Sequence, residues 1–150
     1  MNFSTKGRYG LRAMVVLSLN YGKGPISLKK ISKIEGVSEN YLEQLFALLK
    51  KNNLIKSVRG AYGGYLLNRA PEEISVGDIL IALEGPIGPF ECVMDGKEES
   101  CENIENCVSR IVWKKVKVSV EDVINKMSLK ELTEEKIEML KNKEGVDNNG

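Results

Sequence analysis

A chain of 150 residues suffices for one domain with a packed core, or for a small domain with an appendage, without disulfide staples. Its composition, 42% hydrophobic and 29% charged, is that of an ordinary globular protein, and nothing in it approaches the length of a membrane-spanning helix. The complete absence of histidine excludes Ser-His-Asp and Cys-His catalysis, the two-histidine zinc-protease helix and the two-Cys-two-His finger; no standard phosphate-binding glycine loop is present either, so an enzyme is not expected.

The formal charge of +1 conceals an asymmetry. Residues 1–70 hold 12 Lys+Arg against 3 Asp+Glu, whereas residues 71–150 hold 10 against 18. A basic half beside an acidic half points to a polyanionic partner for the first. The apolar run 13–19 is short, interrupted by Ser18 and lacks a small-residue cleavage site, so no targeting segment is expected and the cytoplasm is the expected location. In that reducing compartment an odd count of three cysteines reads as metal-binding, redox-sensing or inert, not as a disulfide framework.

In chain order, Ser4 caps a first helix running to residue 19, apolar almost all round and therefore expected to be buried on several sides. The breaker Tyr21-Gly-Lys-Gly-Pro25 follows. Ser27 caps a second helix with Leu28, Ile31 and Ile34 on one face, and Gly36 ends it where a positive φ is cheap. Ser38 caps the third helix, whose Leu42, Leu45 and Leu49 face inward. Two helices joined by so short a glycine turn form a helix-turn-helix. Strand-like runs at 54–58 and 65–68 flank the turn Arg59-Gly-Ala-Tyr-Gly-Gly64, which predicts a β-hairpin, or wing. Ser75 caps a short helix over 76–83. The irregular segment that follows carries Cys92, Cys101 and Cys107 among the acids Asp95, Glu98, Glu99, Glu102 and Glu105. A long helix is expected over about 104–127, with Val108, Val112, Val116, Val120 and Ile124 recurring at i+4, then a short helix over 128–140 and a polar, disordered tail over 141–150. A long helix outside the compact half is expected to pair with a second copy.

The expected fold class is mainly α with a small β-wing: a winged helix-turn-helix over 1–72, a short helix and sensor loop over 73–103, and a dimerisation helix with a C-terminal helix over 104–140. A recognition helix presents its N-terminal side chains to base edges in the major groove. The candidates are Ser38, Asn40, Tyr41, Glu43 and Gln44. Ser38 and the helix N-terminus suit a phosphate, Gln44 suits adenine, and Glu43 needs a donor such as cytosine N4 because an acid facing DNA is otherwise repelled. Arg59 at the wing tip, with Gly60 permitting close approach, suits a narrow minor groove. Lys6, Lys29 and Lys50, with Arg8, Arg12, Lys30, Lys33, Lys51 and Lys56, are candidates for phosphate contacts.

The segments STKGRYGLRAM, VSENYLEQLFALLKKNNLI, SVRGAYGGYLL and ISVGDILIALEG, within about residues 1–130, resemble the bacterial iron–sulfur cluster regulators of the IscR type, a winged-helix family that includes nitric-oxide-sensing and cysteine-metabolism repressors. The resemblance implies a homodimeric transcription factor without catalysis, in which a long helix crosses between subunits. It further implies a [2Fe–2S] cluster held by Cys92, Cys101 and Cys107, thiolates being the usual ligands of such clusters. Two features depart from the family pattern. The first spacing is C-x8-C where C-x5-C is common, and Arg110 occupies the position of a ligating histidine, just as Arg8 occupies that of an N-terminal acid used by nitric-oxide-sensing relatives. The fourth ligand stays open among Glu102, Asn103, Glu105, Asn106, a group of the other subunit, or a small exogenous ligand. The competing expectation is a cofactor-free winged-helix repressor of cysteine or sulfur metabolism, controlled by a protein partner or by thiol oxidation.

Overall fold

The computed structural model describes residues 2–100, 102 and 104–149, for Ser100 and 146–149 the backbone alone; Cys101 and Asn103 fall outside the described residues. Six helices are described, α1 (Thr5–Leu19), α2 (Leu28–Glu35), α3 (Glu39–Lys51), α4 (Val76–Glu84), α5 (Ser109–Lys126) and α6 (Leu129–Asn149), with strands β1 (Ile55–Val58) and β2 (Gly64–Leu67) between α3 and α4. The four serines expected as caps all act as such. Ser4, Ser27, Ser38 and Ser75 accept from the backbone N–H groups of Lys6, Lys30, Tyr41 and Asp78, and Asp78 returns the bond to Ser75 as a capping box. Each cap contributes on the order of 1 kcal/mol by satisfying an orphan donor at a helix end.

The core is centred on α1 and α3. Met14 and Leu17 of α1 meet Leu42, Leu45, Phe46 and Leu49 of α3, with Ile31, Leu54 and Ile55 closing the sides. Ile74, Ile79, Ala82, Leu83 and Leu129 belong to the same cluster, so the core continues past residue 72 into α4 and the first turn of α6. Helices α1 and α4 approach closely because Gly7 and Gly10 lack side chains; a Cβ on Gly10 would overlap Leu83.

β1 and β2 pair antiparallel with Ile55 opposite Leu67 and Val58 opposite Gly64. Ile26 adds a one-residue third strand, exchanging backbone bonds of 3.0 and 2.9 Å with Tyr65. Gly64 (φ +153°) makes this approach possible, since a Cβ there would overlap the Ile26 carbonyl.

On the apolar face of α2, Ile31 is buried and Ile34 is exposed. Two sequence expectations change. The long helix starts at Ser109 and not near 104: Val108 offers no side-chain cap, and i→i+3 bonds from the N–H groups of Arg110 and Ile111 to the carbonyls of Cys107 and Val108 tighten its entry. Helix α6 continues to Asn149 through the stretch expected to be disordered. Its Lys, Glu, Leu and Met residues are strong helix formers, and Ser128 accepts from the Glu131 N–H at its start.

Candidate nucleic-acid interface and cysteine segment

The turn between α2 and α3 is fixed locally. Gly36 takes a left-handed conformation (φ +66°), its N–H donates to the Ser32 carbonyl at 2.9 Å, and the Ser32 hydroxyl donates to the Val37 carbonyl. This sets the angle at which α3 leaves α2. With Leu42, Leu45, Phe46 and Leu49 buried, the opposite side of α3 is left to solvent. Asn40, Glu43 and Gln44 are exposed there at i, i+3 and i+4, which makes them neighbours on one face. Ala47 continues that face and is exposed as well. A sequence reading that looks for hydrogen-bonding side chains passes over it, yet a small apolar group among polar neighbours suits a thymine methyl; its spacing from Asn40 and Glu43 was the available signal.

Ser38 is exposed at the N-terminus of α3, its hydroxyl oxygen committed to the Tyr41 N–H at 3.2 Å. Tyr41 does not join the exposed face. It is half-buried, its hydroxyl lies 3.0 Å from Thr5 Oγ1, and its ring stands edge-on to Tyr9 with centroids 6.1 Å apart. Tyr41 therefore ties α3 to α1 instead of reaching outward.

Arg59, Gly60, Ala61 and Tyr62 form the exposed wing tip, Tyr62 being 95% exposed. The tip closes through the Gly63 N–H on the Gly60 carbonyl at 3.0 Å, with Gly60 at φ +111°. Lys50 Nζ donates to Ser57 Oγ at 2.9 Å, fastening the end of α3 to the first wing strand. Lys6 and Lys29 are exposed in the first turns of α1 and α2. Arg12 is withdrawn from the set of phosphate candidates: it pairs with Glu35 at 2.6 Å and lies 5.3 Å over the Tyr9 ring.

The cysteine segment is held against α5 at two points. Arg110 Nε and Nη2 donate to the Cys92 carbonyl at 3.3 and 3.2 Å, while its own backbone N–H donates to the Cys107 carbonyl at 3.2 Å. One arginine thus brackets both cysteines. Lys117 Nζ reaches Asp95 at 2.7 Å and Glu121 at 3.1 Å, and the bond to Asp95 is the main reason its pKa is raised. Cys92 and Cys107 are half-buried free thiols. The Cys107 thiol is held below its ordinary pKa, first by the Ser109 hydroxyl at 3.1 Å and then by the Arg110 backbone N–H. Cys101, the third expected ligand, lies outside the described residues; among the described residues no group of three or more His, Cys, Asp or Glu converges on a point. Arg8, at the position of the N-terminal acid, is exposed.

Comparison with known proteins agrees with this geometry. The family model described as Rrf2, iron-dependent transcriptional regulator, matches residues 3–135. The HTH-type transcriptional regulator CymR of Bacillus subtilis (strain 168) is 43% identical over 132 residues, covering 88% of this chain and 89% of that protein. Its solved structure, described as the global cysteine regulator of B. subtilis, superposes with a TM-score of 0.74 at 42% identity, covering 89% of this chain and 97% of that one. The solved structure of T. potens IscR superposes with a TM-score of 0.73 at 44% identity, over 90% of this chain and 88% of that one.

Proposed function

Because the chain belongs to the Rrf2 family of transcriptional regulators, we propose that it acts as a cytoplasmic homodimer on duplex DNA, with Cys92, Cys101 and Cys107 as the ligands of a [2Fe–2S] cluster that sets its affinity for operators. The observation that carries the DNA-binding part is the shared presentation of Asn40, Glu43, Gln44 and Ala47 on the solvent face of α3, next to a wing tipped by Arg59. Homodimerisation is supported by α5, none of whose described residues is buried: its apolar Ile111, Val112, Val116 and Val123 face solvent, as does Val108 at its N-cap.

The donor chemistry fits the cluster at the two described cysteines. Both are thiols, the arginine between them places a cation beside an anionic ligand set, and the Ser109 hydroxyl favours the thiolate of Cys107. A bound cluster would supply one-electron redox chemistry and reactivity toward oxygen or nitric oxide. Arg110 fixes the Cys92 backbone and cannot itself be a ligand, so the fourth position belongs to another group. Anaerobic reconstitution with iron and sulfide, read by visible absorption, circular dichroism and iron content, tests this directly. Colour lost in Cys92→Ala is expected; a wild-type protein that stays colourless and iron-free rejects the cluster and leaves DNA binding intact.

The likeness to CymR, together with a non-ligating Arg110, favours one alternative: a cofactor-free regulator of cysteine or sulfur metabolism that answers to a partner protein or to thiol oxidation. Metal content separates the two.

A further inference from the structure

The first turn of α1 is held by a residue from outside the helix. Glu84, the last residue of α4, places its carboxylate oxygen Oε1 2.9 Å from the Ser4 N–H, 2.7 Å from the Ser4 hydroxyl and 2.9 Å from the Gly7 N–H. All three groups donate to that one oxygen, and they include backbone donors that α1 cannot satisfy internally. The negative charge also sits at the positive end of the α1 dipole. The neighbouring residue, Thr5, then meets the Tyr41 hydroxyl at 3.0 Å, and Tyr9, one turn further along α1, meets the Tyr41 ring edge-on. Tyr41 is in the first turn of α3, immediately beside the exposed face formed by Asn40, Glu43 and Gln44. Glu84 is thereby linked to the base-facing end of α3 through two side-chain contacts and one helical turn, although Glu84 itself touches no residue of that face.

Helix α3 is fixed at its other end by Lys50 on Ser57 and along its length by the core. The end that faces the bases is seated in the core by Leu42, and its hydrogen-bonded side-chain tie to α1 among the described residues is Tyr41. We infer that Glu84 is a positioning residue for DNA recognition: by anchoring the first turn of α1, it sets, through Thr5 and Tyr41, the tilt at which α3 presents Asn40, Glu43 and Gln44. The inference rests on the DNA-binding reading above and adds to it residues outside the contacting face. Gly7 is part of the device, because a Cβ there would stand 2.9 Å from Glu84 Oε1 and push the carboxylate away.

A positioning role differs from a contact and from mere stability in what it changes. Phosphate contacts give sequence-independent affinity, whereas base contacts need the helix at the right angle. Loosening the tie should therefore lower affinity for a preferred site and spare affinity for unrelated DNA. The probe is a duplex selected on the wild-type protein from a random-sequence pool, compared with a scrambled duplex of equal length. Glu84→Ala, Tyr41→Phe, the double variant and Glu84→Gln are measured, with circular dichroism and thermal melting to verify folding. Each single variant is expected to lose about five- to tenfold in affinity for the selected duplex, the size of one hydrogen-bonded link. Binding to the scrambled duplex and the salt slope should stay at wild-type values. The double variant should lose no more than the larger single loss, because both substitutions cut one path. Glu84→Gln keeps an acceptor oxygen for the two N–H donors and should recover at least half of the Glu84→Ala loss on a logarithmic scale. Losses that multiply in the double variant, or that fall equally on both duplexes, overturn the positioning role while leaving DNA binding standing. Failure of the wild-type protein to select any duplex removes the DNA-binding reading itself, and the positioning role with it.

Discussion

At the scale of single residues, the local punctuation is legible in the sequence alone. Ser4, Ser27, Ser38 and Ser75 sit immediately before helical segments, and Gly36 sits where a helix must turn; each needs only its sequence neighbours to define its role. Tyr41 and Arg12 are not legible in this way, because their partners are remote. Tyr41 meets Thr5 across 36 positions and Arg12 meets Glu35 across 23, and only the packing of α1 on α2 and α3 brings them together. The wing offers two tests at this scale. Gly64→Ala combines a positive φ with overlap on the Ile26 carbonyl, so it should cost about 2 kcal/mol and lower the melting temperature without altering the spectrum of the remaining helices. Arg59→Ala leaves the fold alone, since the side chain is exposed, and should lower DNA affinity about tenfold with a salt slope shallower by about one. An unchanged affinity would remove the wing tip from the interface.

At the scale of elements, α5 shows where periodicity stops being informative. The i+4 series Val108, Val112, Val116, Val120, Ile124 reads as one stripe, but the structure divides it. Val120 and Ile124 pack on Val76, Leu80 and Ile87, while Val108 and Val112 face solvent at 79% and 52% exposure. A stripe that winds about the helix axis meets the chain's own core at one end and leaves the other end bare, and no spacing rule says where the division falls. If a second copy covers the bare part, Val112→Lys with Val116→Lys should convert the dimer to a monomer in sedimentation equilibrium while the helical signal persists. A monomeric wild type, or a variant that stays dimeric, would contradict this.

The same helix holds the cysteine segment through Lys117 on Asp95. The Lys117 pKa is raised above its ordinary 10.5 in the folded chain, so the protein binds that proton more tightly when folded. The contribution is accordingly complete below 10.5 and is lost as pH rises through the higher folded value. Thermal melts between neutral pH and about pH 11.5 should show a decline at the alkaline end that is smaller in Lys117→Met, whose melting temperature should already be lower at neutral pH. An identical alkaline decline in both proteins would show that the pair contributes nothing.

At the scale of the whole molecule, the division of charge is the most durable sequence signal, since it depends on no contact. The basic first half contains α1 to β2, and the acidic second half contains the cysteine segment and α6. The winged-helix architecture is equally legible, because its helix-turn-helix and hairpin are local. The continuation of the core into α4 and α6 is not, because Leu129 reaches the α1–α3 core from a distant part of the chain. Nor does the sequence reveal the chain of contacts from Glu84 to Tyr41, which exists only because two glycines let α1 lie against α4.

That α3 and the wing grip duplex DNA is decided by a titration of the wild-type protein against a pool-selected duplex at several salt concentrations. Expected is an affinity for the selected site at least about a thousandfold above that for a scrambled duplex, falling steeply with salt as bound phosphates release counterions. Equal affinity for both duplexes with no dependence on salt would contradict it.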